Sequence, residues 1–133
     1  MVQKYYLPYC RLELSETYAI VTTSEGVNID FAEVEEINAI LQGFYQGRAF
    51  GLIANRENRY SINPLAAKQF FSDECVVAGA VVGQNLATKI NAEIENDIID
   101  GAPIVFFTEL SSAVIWIENR VKKEQDKVSA VPI

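Results

Sequence analysis

The sequence contains no histidine among its 133 residues. Histidine is the commonest general base and zinc ligand, so the familiar Ser/His and Cys/His nucleophile pairs are excluded. No other nucleophile-base pair stands out. We therefore predict that the protein is not an enzyme and has neither a bound metal nor a cofactor.

Cysteine and long apolar runs are also scarce. Cys10 and Cys75 stand far apart in apolar surroundings, and no CxxC spacing marks a metal or redox site. They are typical of reduced, buried thiols. The amino terminus lacks the apolar core of a signal peptide, and the longest apolar run, VVAGAVVG at 76–83, cannot span a bilayer. These features predict a cytoplasmic protein without membrane insertion.

Basic residues are outnumbered, 11 against 18 acidic ones, which gives a net charge of −7. This balance argues against nucleic acid and anionic membranes as partners, because both require clustered Lys and Arg. The stretch 43–68 is different, with four basic residues and only Glu57 acidic, a local charge of +3 that leaves −10 for the rest. This basic patch surrounds the loop NRENRYSINP at 55–64.

Apolar residues make up half of the chain, enough for the core of one domain. Strand-like and helix-like stretches alternate in the order β-β-α-β-α-β-α-β-α, which predicts an α/β fold with a mostly parallel, mixed sheet and helices packed on it. We assign residues 1–121 to this domain. Residues 122–133 form a charged tail that is predicted to fray or to dock through its VSAVPI end.

Local signals place several element boundaries. The first segment, KYYLPYCRLEL, is predicted to be a strand that lies at a sheet edge or bends at Pro8, and to form a hairpin with YAIVTTSEG. Asp30 with Glu33 predicts a capping box at the first helix, and Asn63 followed by Pro64 predicts the start of the second.

Two later helices follow from spacing and caps. Asn85 or Gln84 is expected to start a helix with Leu86, Ile90 and Ile94 on its apolar face. Thr108 is expected to cap the last helix, which begins ELSSAVIWI.

The segments LPYCRLEL, EGVNID, NRENRYSINP and VFFTELSSAVIWI, in this order of elements, resemble the STAS fold of bacterial anti-sigma-factor antagonists. More narrowly, the chain resembles small uncharacterised bacterial proteins described as containing a STAS/SEC14 domain. The resemblance implies a regulatory module that binds a protein partner through a strand-to-helix loop with a phosphorylatable serine. Ser61 occupies that place, although no Asp precedes it and Tyr60 and Ile62 flank it.

The loop at 55–64 carries the candidate site. We predict that it contacts a protein partner; the alternative is a small anionic ligand held by arginines near a helix start. A purely structural role stays open as well, with the asparagines capping turns and the arginines paired to Glu57 or to acidic residues on neighbouring helices. The candidate residues are Asn55, Arg56, Asn58, Arg59, Tyr60 and Asn63, with Ser61 as a candidate phosphorylation site or a turn-forming residue.

Two further groups of residues stand out in the sequence. Clustered carboxylates are interpreted as solvated helix faces rather than cation sites; they are Glu33, Glu35, Glu36, Glu93, Glu95, Asp97 and Asp100. Aromatic residues near the amino terminus and on the last helix are expected either to pack in the core or to form a homodimer contact. They are Tyr5, Tyr6, Tyr9 and Trp116.

Overall fold

The computed structural model describes residues 2–99 and 102–129, with side chains described through residue 126. Its first half contains β1 (Gln3–Tyr6), β2 (Cys10–Leu14), β3 (Tyr18–Thr23), β4 (Asn28–Ile29), α1 (Phe31–Tyr45), β5 (Phe50–Asn55) and β6 (Ser61–Ile62). Its second half contains α2 (Pro64–Phe70), β7 (Val76–Val82), α3 (Leu86–Ile98), β8 (Ile104–Phe107) and α4 (Leu110–Ser129).

The main sheet has six strands in the order β1-β2-β3-β5-β7-β8. The pairs β1–β2 and β2–β3 are antiparallel, whereas β3–β5, β5–β7 and β7–β8 are parallel. The predicted α/β class with a mostly parallel, mixed sheet is confirmed. Strands β4 and β6 form a separate two-stranded parallel ladder.

The amino-terminal segment differs in detail from the expected single strand. It forms two strands that pair with each other, and the backbone N–H of Leu7 donates to the carbonyl of Cys10 at 2.9 Å to close the turn. Pro8 lies within this turn because proline has no N–H to give to a ladder. The predicted hairpin between CRLEL and YAIVTT is confirmed.

The helices are divided unequally between the two faces of the sheet. Helices α1, α2 and α3 cover one face and α4 covers the other, so consecutive residues of β5 point into different cores. Leu52 packs beneath α1 and α2, whereas Ile53 packs against α4. This alternation follows from the period of two in a strand.

The predicted helix starts are confirmed in detail for three helices. Asp30 and Glu33 form a complete capping box at α1, Asn63 caps α2 with Pro64 as its first residue, and Asn85 caps α3. Helix α4 begins at Leu110 and continues through Ser129, beyond the boundary expected near residue 121. Asp100, Gly101 and residues 130–133 of the expected tail lie outside the described residues.

Candidate functional site

The loop at 55–64 leaves the carboxyl end of β5, the edge at which open α/β sheets commonly bind ligands. Strand β6 within the loop pairs with β4, the segment that leads into α1. The backbone N–H of Gly26 donates to the carbonyl of Arg59 at 2.7 Å, and the N–H of Ser61 donates to the carbonyl of Val27 at 3.0 Å. The second half of the loop is therefore held by the segment 24–30.

The three asparagines of the loop have structural hydrogen bonds. Asn55 donates through Nδ2 to Glu57 at 3.1 Å, and Asn58 donates through Nδ2 to the carbonyl of Thr23 at 3.0 Å. Asn63 accepts from the N–H of Leu65 at 3.0 Å. These contacts match the structural alternative for the asparagines, and they fix the shape of the loop.

The guanidinium of Arg56 points inward. Its Nη2 lies 2.6 Å from Oε1 of Glu95 on α3, and the two side chains are only 11% and 12% exposed. Its Cζ lies 5.5 Å from the ring centre of Tyr60, within the range of a cation–π contact. Arg56 thus joins the loop to a helix that starts 30 residues later in the chain.

Burial and charge act against each other in this cluster. Burial favours the neutral form of Arg56, but the neighbouring Tyr60 and Glu95 more than offset it, so the pKa of Arg56 is raised. Burial raises the pKa of Tyr60, and the nearby Arg56 charge only partly opposes it. At neutral pH the cluster therefore holds a charged guanidinium beside a neutral phenol.

A cavity of about 60 Å³ lies beneath the loop, between the sheet and the three helices of this face. Arg56, Tyr60, Glu95 and Thr23 are its polar wall residues. The remaining wall is apolar and is formed by Val21, Ile29, Ile37, Leu52, Ala54, Ile62, Ala67, Phe70, Phe71, Gly79, Ala80, Val81, Ile99 and Ile104.

Two details of the cavity wall bear on its chemistry. The Nε–H of Arg56 is buried and has no hydrogen-bond partner among the described residues. Gly79 lets the ring of Phe71 pack directly on the strand, since a Cβ there would lie 2.7 Å from that ring.

The opposite side of the loop faces solvent. Arg59 and Ser61 are exposed, and Leu65 at the start of α2 is 62% exposed. The guanidinium of Arg59 forms no ion pair with a described residue, although its backbone N–H donates to the Glu25 carboxylate at 2.8 Å. Ser61 donates through Oγ to Oδ1 of Asn28 at 2.9 Å.

The structure therefore separates the predicted site residues. Arg56 and Tyr60 come together at the cavity, Arg59 and Ser61 lie on the outside, and the asparagines hold the loop. Arg56 follows the structural alternative, since its partner is an acidic residue on a neighbouring helix. Sequence reasoning did not single out Glu95, because it lies 39 positions away and was counted among the solvated carboxylates. It also missed the cavity, whose wall is assembled from strands and helices throughout the chain.

The other carboxylates have mixed roles. Glu33 caps α1 by accepting the N–H of Asp30 at 2.8 Å, and Glu36 accepts the hydroxyl of Tyr9 at 2.5 Å. Glu35, Glu93 and Asp97 are partly or fully exposed. Within the described residues, no group of three acidic or cysteine side chains is arranged to hold a metal.

The predicted dimer residues lie in two places. Tyr6 on the edge strand β1 is 73% exposed, whereas Tyr5 and Tyr9 pack against the core. Trp116 on α4 packs against Phe107 with ring centres 5.7 Å apart. A homodimer through this edge stays a prediction.

Both cysteines are free, with Cys10 buried and Cys75 partly exposed. Burial raises the pKa of Cys10 to about 12, so its thiol keeps its proton at neutral pH. None of the helices in the described portion is both long and apolar enough to cross a bilayer.

Comparison with known proteins shows the fold. No family model matches the sequence, and no curated protein matches it. Among solved structures, the chain is similar to an uncharacterised protein of the DUF3478 family from Shewanella loihica PV-4, which has a SpoIIAA-like fold. The TM-score is 0.55 and the sequence identity 12%, with 88% of this chain and 92% of that chain covered.

The fold is SpoIIAA-like. This is the STAS-like architecture that the segments LPYCRLEL and NRENRYSINP led us to expect, so that expectation is confirmed. At 12% identity the likeness concerns the fold and assigns no activity.

Proposed function

We propose that the protein is a non-enzymatic regulatory module that binds a protein partner through the outer side of the loop at 55–64. The observation that carries the proposal is the exposed guanidinium of Arg59, which pairs with no residue that the structure describes, beside the exposed side chain of Leu65. Arginine is enriched among the residues that supply most of the binding energy at protein interfaces. An exposed apolar side chain beside it adds apolar area that a partner can remove from water. We call the residues Arg59, Ser61, Pro64 and Leu65 the outer loop surface.

The bonds behind the loop support this proposal. The pairing of β4 with β6, together with the N–H of Asn63 donating to the carbonyl of Ile29 at 2.9 Å, holds the loop in one shape before a partner arrives. A surface that is already ordered loses less conformational entropy on binding. Arg56 supports the surface from below and is not one of its contact residues.

A comparison of capture from native lysate tests the proposal. Wild type is compared with Arg59→Glu/Leu65→Ser, which reverses the charge and removes the apolar side chain of the outer loop surface. The control is Lys122→Glu/Ile115→Ser, which makes similar changes at exposed positions of α4. A protein retained by wild type and the control but lost by the loop variant supports the proposal, and identical capture by all three contradicts it.

Ser61 is the proposed point of regulation. Its hydroxyl is on an exposed residue and bonds only to Asn28 among the described side chains, so it is accessible to a modifying enzyme. A phosphate would add nearly two negative charges two residues from Arg59 and would change the affinity for the partner. Mass spectrometry of the protein isolated from its native cells tests this, and the complete lack of Ser61 phosphopeptides across growth conditions contradicts it.

A small anion at the same loop is the second candidate that the sequence favours. The charge of Arg56 is already neutralised by Glu95, so Arg59 is the loop guanidinium left for such a ligand. Phosphate should then raise the melting temperature of wild type more than that of Arg59→Gln, because binding to the native state stabilises it. Equal shifts of melting temperature in wild type and Arg59→Gln would exclude a small anion bound at Arg59.

A further inference from the structure

We propose that the exposed side of α3 is a contact surface for a second copy of this chain, which binds there with its own α3 in the antiparallel direction. The surface is a row of apolar side chains spaced four residues apart, which we call the α3 row. It consists of Leu86, Ile90, Ile94 and Ile98. The inference goes beyond the proposed function, because the outer loop surface belongs to other elements.

The α3 row is a contiguous apolar patch. Leu86 is 69% exposed, and the three isoleucines are 45%, 48% and 36% exposed. Ten large apolar side chains are exposed among the described residues, and four of them lie in this row. Side chains four positions apart are neighbours on a helix. A contiguous apolar patch marks an interaction surface, whereas singly exposed apolar residues do not.

The opposite side of α3 already has its partners within the chain. Ala92 is buried, and Glu95 pairs with Arg56 at 2.6 Å. Asn96 accepts the backbone N–H of Ile104 through Oδ1 at 2.9 Å. Turning the α3 row inward would break these contacts, so the row is left for a partner outside the chain.

A neighbouring row of charges indicates which partner fits. Lys89, Glu93 and Asp97 are also four positions apart, are exposed, and form no ion pair with a described residue. The positive charge lies nearer the amino end of α3 and the two negative charges nearer its carboxyl end. A parallel copy would place like charges side by side, whereas an antiparallel copy places opposite charges together.

Two-fold symmetry gives the register of this contact. With the axis midway between Ile90 and Ile94, Lys89 of one copy lies between Glu93 and Asp97 of the second copy. The symmetry repeats this match on the other side of the axis, as a closed dimer requires. Rows spaced by four residues on both helices can interdigitate, which is the commonest packing of helix pairs.

The area of the α3 row limits the affinity. A stable interface usually buries about 800 Å² on each partner, and four partly exposed aliphatic side chains supply only part of that area. We therefore expect a dissociation constant on the order of 100 µM. At low micromolar concentration the protein is then a monomer.

Sedimentation equilibrium between about 10 µM and about 1 mM protein tests the inference. Wild type should change from monomer to dimer over this range. Ile90→Gln/Ile94→Gln leaves the net charge unchanged and should weaken dimerisation about tenfold or more. The control, Ile115→Gln, makes the same change at an exposed position of α4 and should dimerise as wild type does.

Three results would overturn the inference. They are a monomer at every concentration, unchanged dimerisation of the α3 variant, and loss of the dimer in Tyr6→Gln alone, which would place the contact at the β1 edge. Cosedimentation of monomeric wild type with phosphatidylcholine vesicles would assign the α3 row to a lipid surface and would overturn it as well.

A pair of charge variants tests the antiparallel direction at low salt. Lys89→Glu makes the charged row wholly acidic, and Glu93→Lys/Asp97→Lys makes it wholly basic. Each variant alone should dimerise about fivefold more weakly than wild type, because like charges then face each other. An equimolar mixture should form a tighter dimer than either variant alone. A mixture that is no tighter would refute the antiparallel match.

The outcome is independent of the proposed function. None of these variants alters Arg59 or Leu65, and the lysate comparison leaves α3 unchanged. Failure of the dimer and failure of partner capture are therefore distinguishable.

Discussion

Arg56 shows how one buried charge depends on its partner. Its replacement by alanine would leave the Glu95 carboxylate nearly buried and unpaired, at a cost of about 3 kcal/mol or more. Replacing both residues by methionine removes both charges and should recover most of this loss. Urea unfolding of the two variants measures the difference, and equal destabilisation would show that the ion pair itself supplies the stability.

Arg56 also shows where sequence reasoning ends at the scale of single residues. Caps such as Asp30 with Glu33 and Asn63 with Pro64 act over a few positions, and the sequence therefore predicts them. The pairing of Arg56 with Glu95 depends on the position of α3 over the sheet. No local pattern encodes that position, so the sequence offers pairing with a neighbouring helix as an alternative but does not identify Glu95 as the partner.

The raised pKa values of the Cys10 thiol and the Tyr60 phenol predict that the protein loses stability in alkaline solution. Burial raises the pKa of Cys10 to about 12 and also raises the pKa of Tyr60. In the unfolded chain these groups lose their protons at lower pH, and the native state then binds more protons than the unfolded state. Stability should be full below about pH 9 and should fall between about pH 9 and 12.

Unfolding by urea at a series of pH values from 7 to 11 measures this dependence. Cys10→Ala removes one of the groups, so its stability should decline less steeply over the upper part of the range. The same slope in wild type and in Cys10→Ala would show that the thiol does not contribute.

At the scale of elements, the side of α3 that packs on the sheet is not the side expected from the sequence. Leu86, Ile90 and Ile94 share one side of the helix, as predicted, but they are 69%, 45% and 48% exposed. Ala92 is buried, and Glu95 turns towards Arg56. Apolar spacing identifies residues that share a side of a helix, but here the small alanine and the ion pair select the side that meets the sheet.

The exposure of this side predicts the effects of substitution. Ile90→Glu with Ile94→Glu should change the free energy of unfolding by less than about 0.5 kcal/mol per site, since surface changes are usually small. Ala92→Glu should cost several times more, because it places a charge in the core. Chemical denaturation of both variants tests the orientation of α3, and a large loss in the isoleucine variant alone would contradict it.

At the scale of the whole molecule, the sequence predicts the class of fold better than its connections. Alternating strands and helices imply parallel pairing through crossovers, and the pairs β3–β5, β5–β7 and β7–β8 are parallel. The ladder between β4 and β6 has only two residues in each strand. Such short strands leave no periodic signal, and their pairing depends on the loop returning across the segment 24–30.

Trp116 has a practical consequence for optical experiments on this protein. It is the sole tryptophan of the chain, and it lies on α4 against Phe107, across the sheet from the cavity. Its fluorescence therefore reports whether α4 stays packed on the sheet. The indole ring lies on the other side of the sheet from the cavity. A change in its emission when a small molecule is added would reveal mechanical communication between the two faces of the sheet.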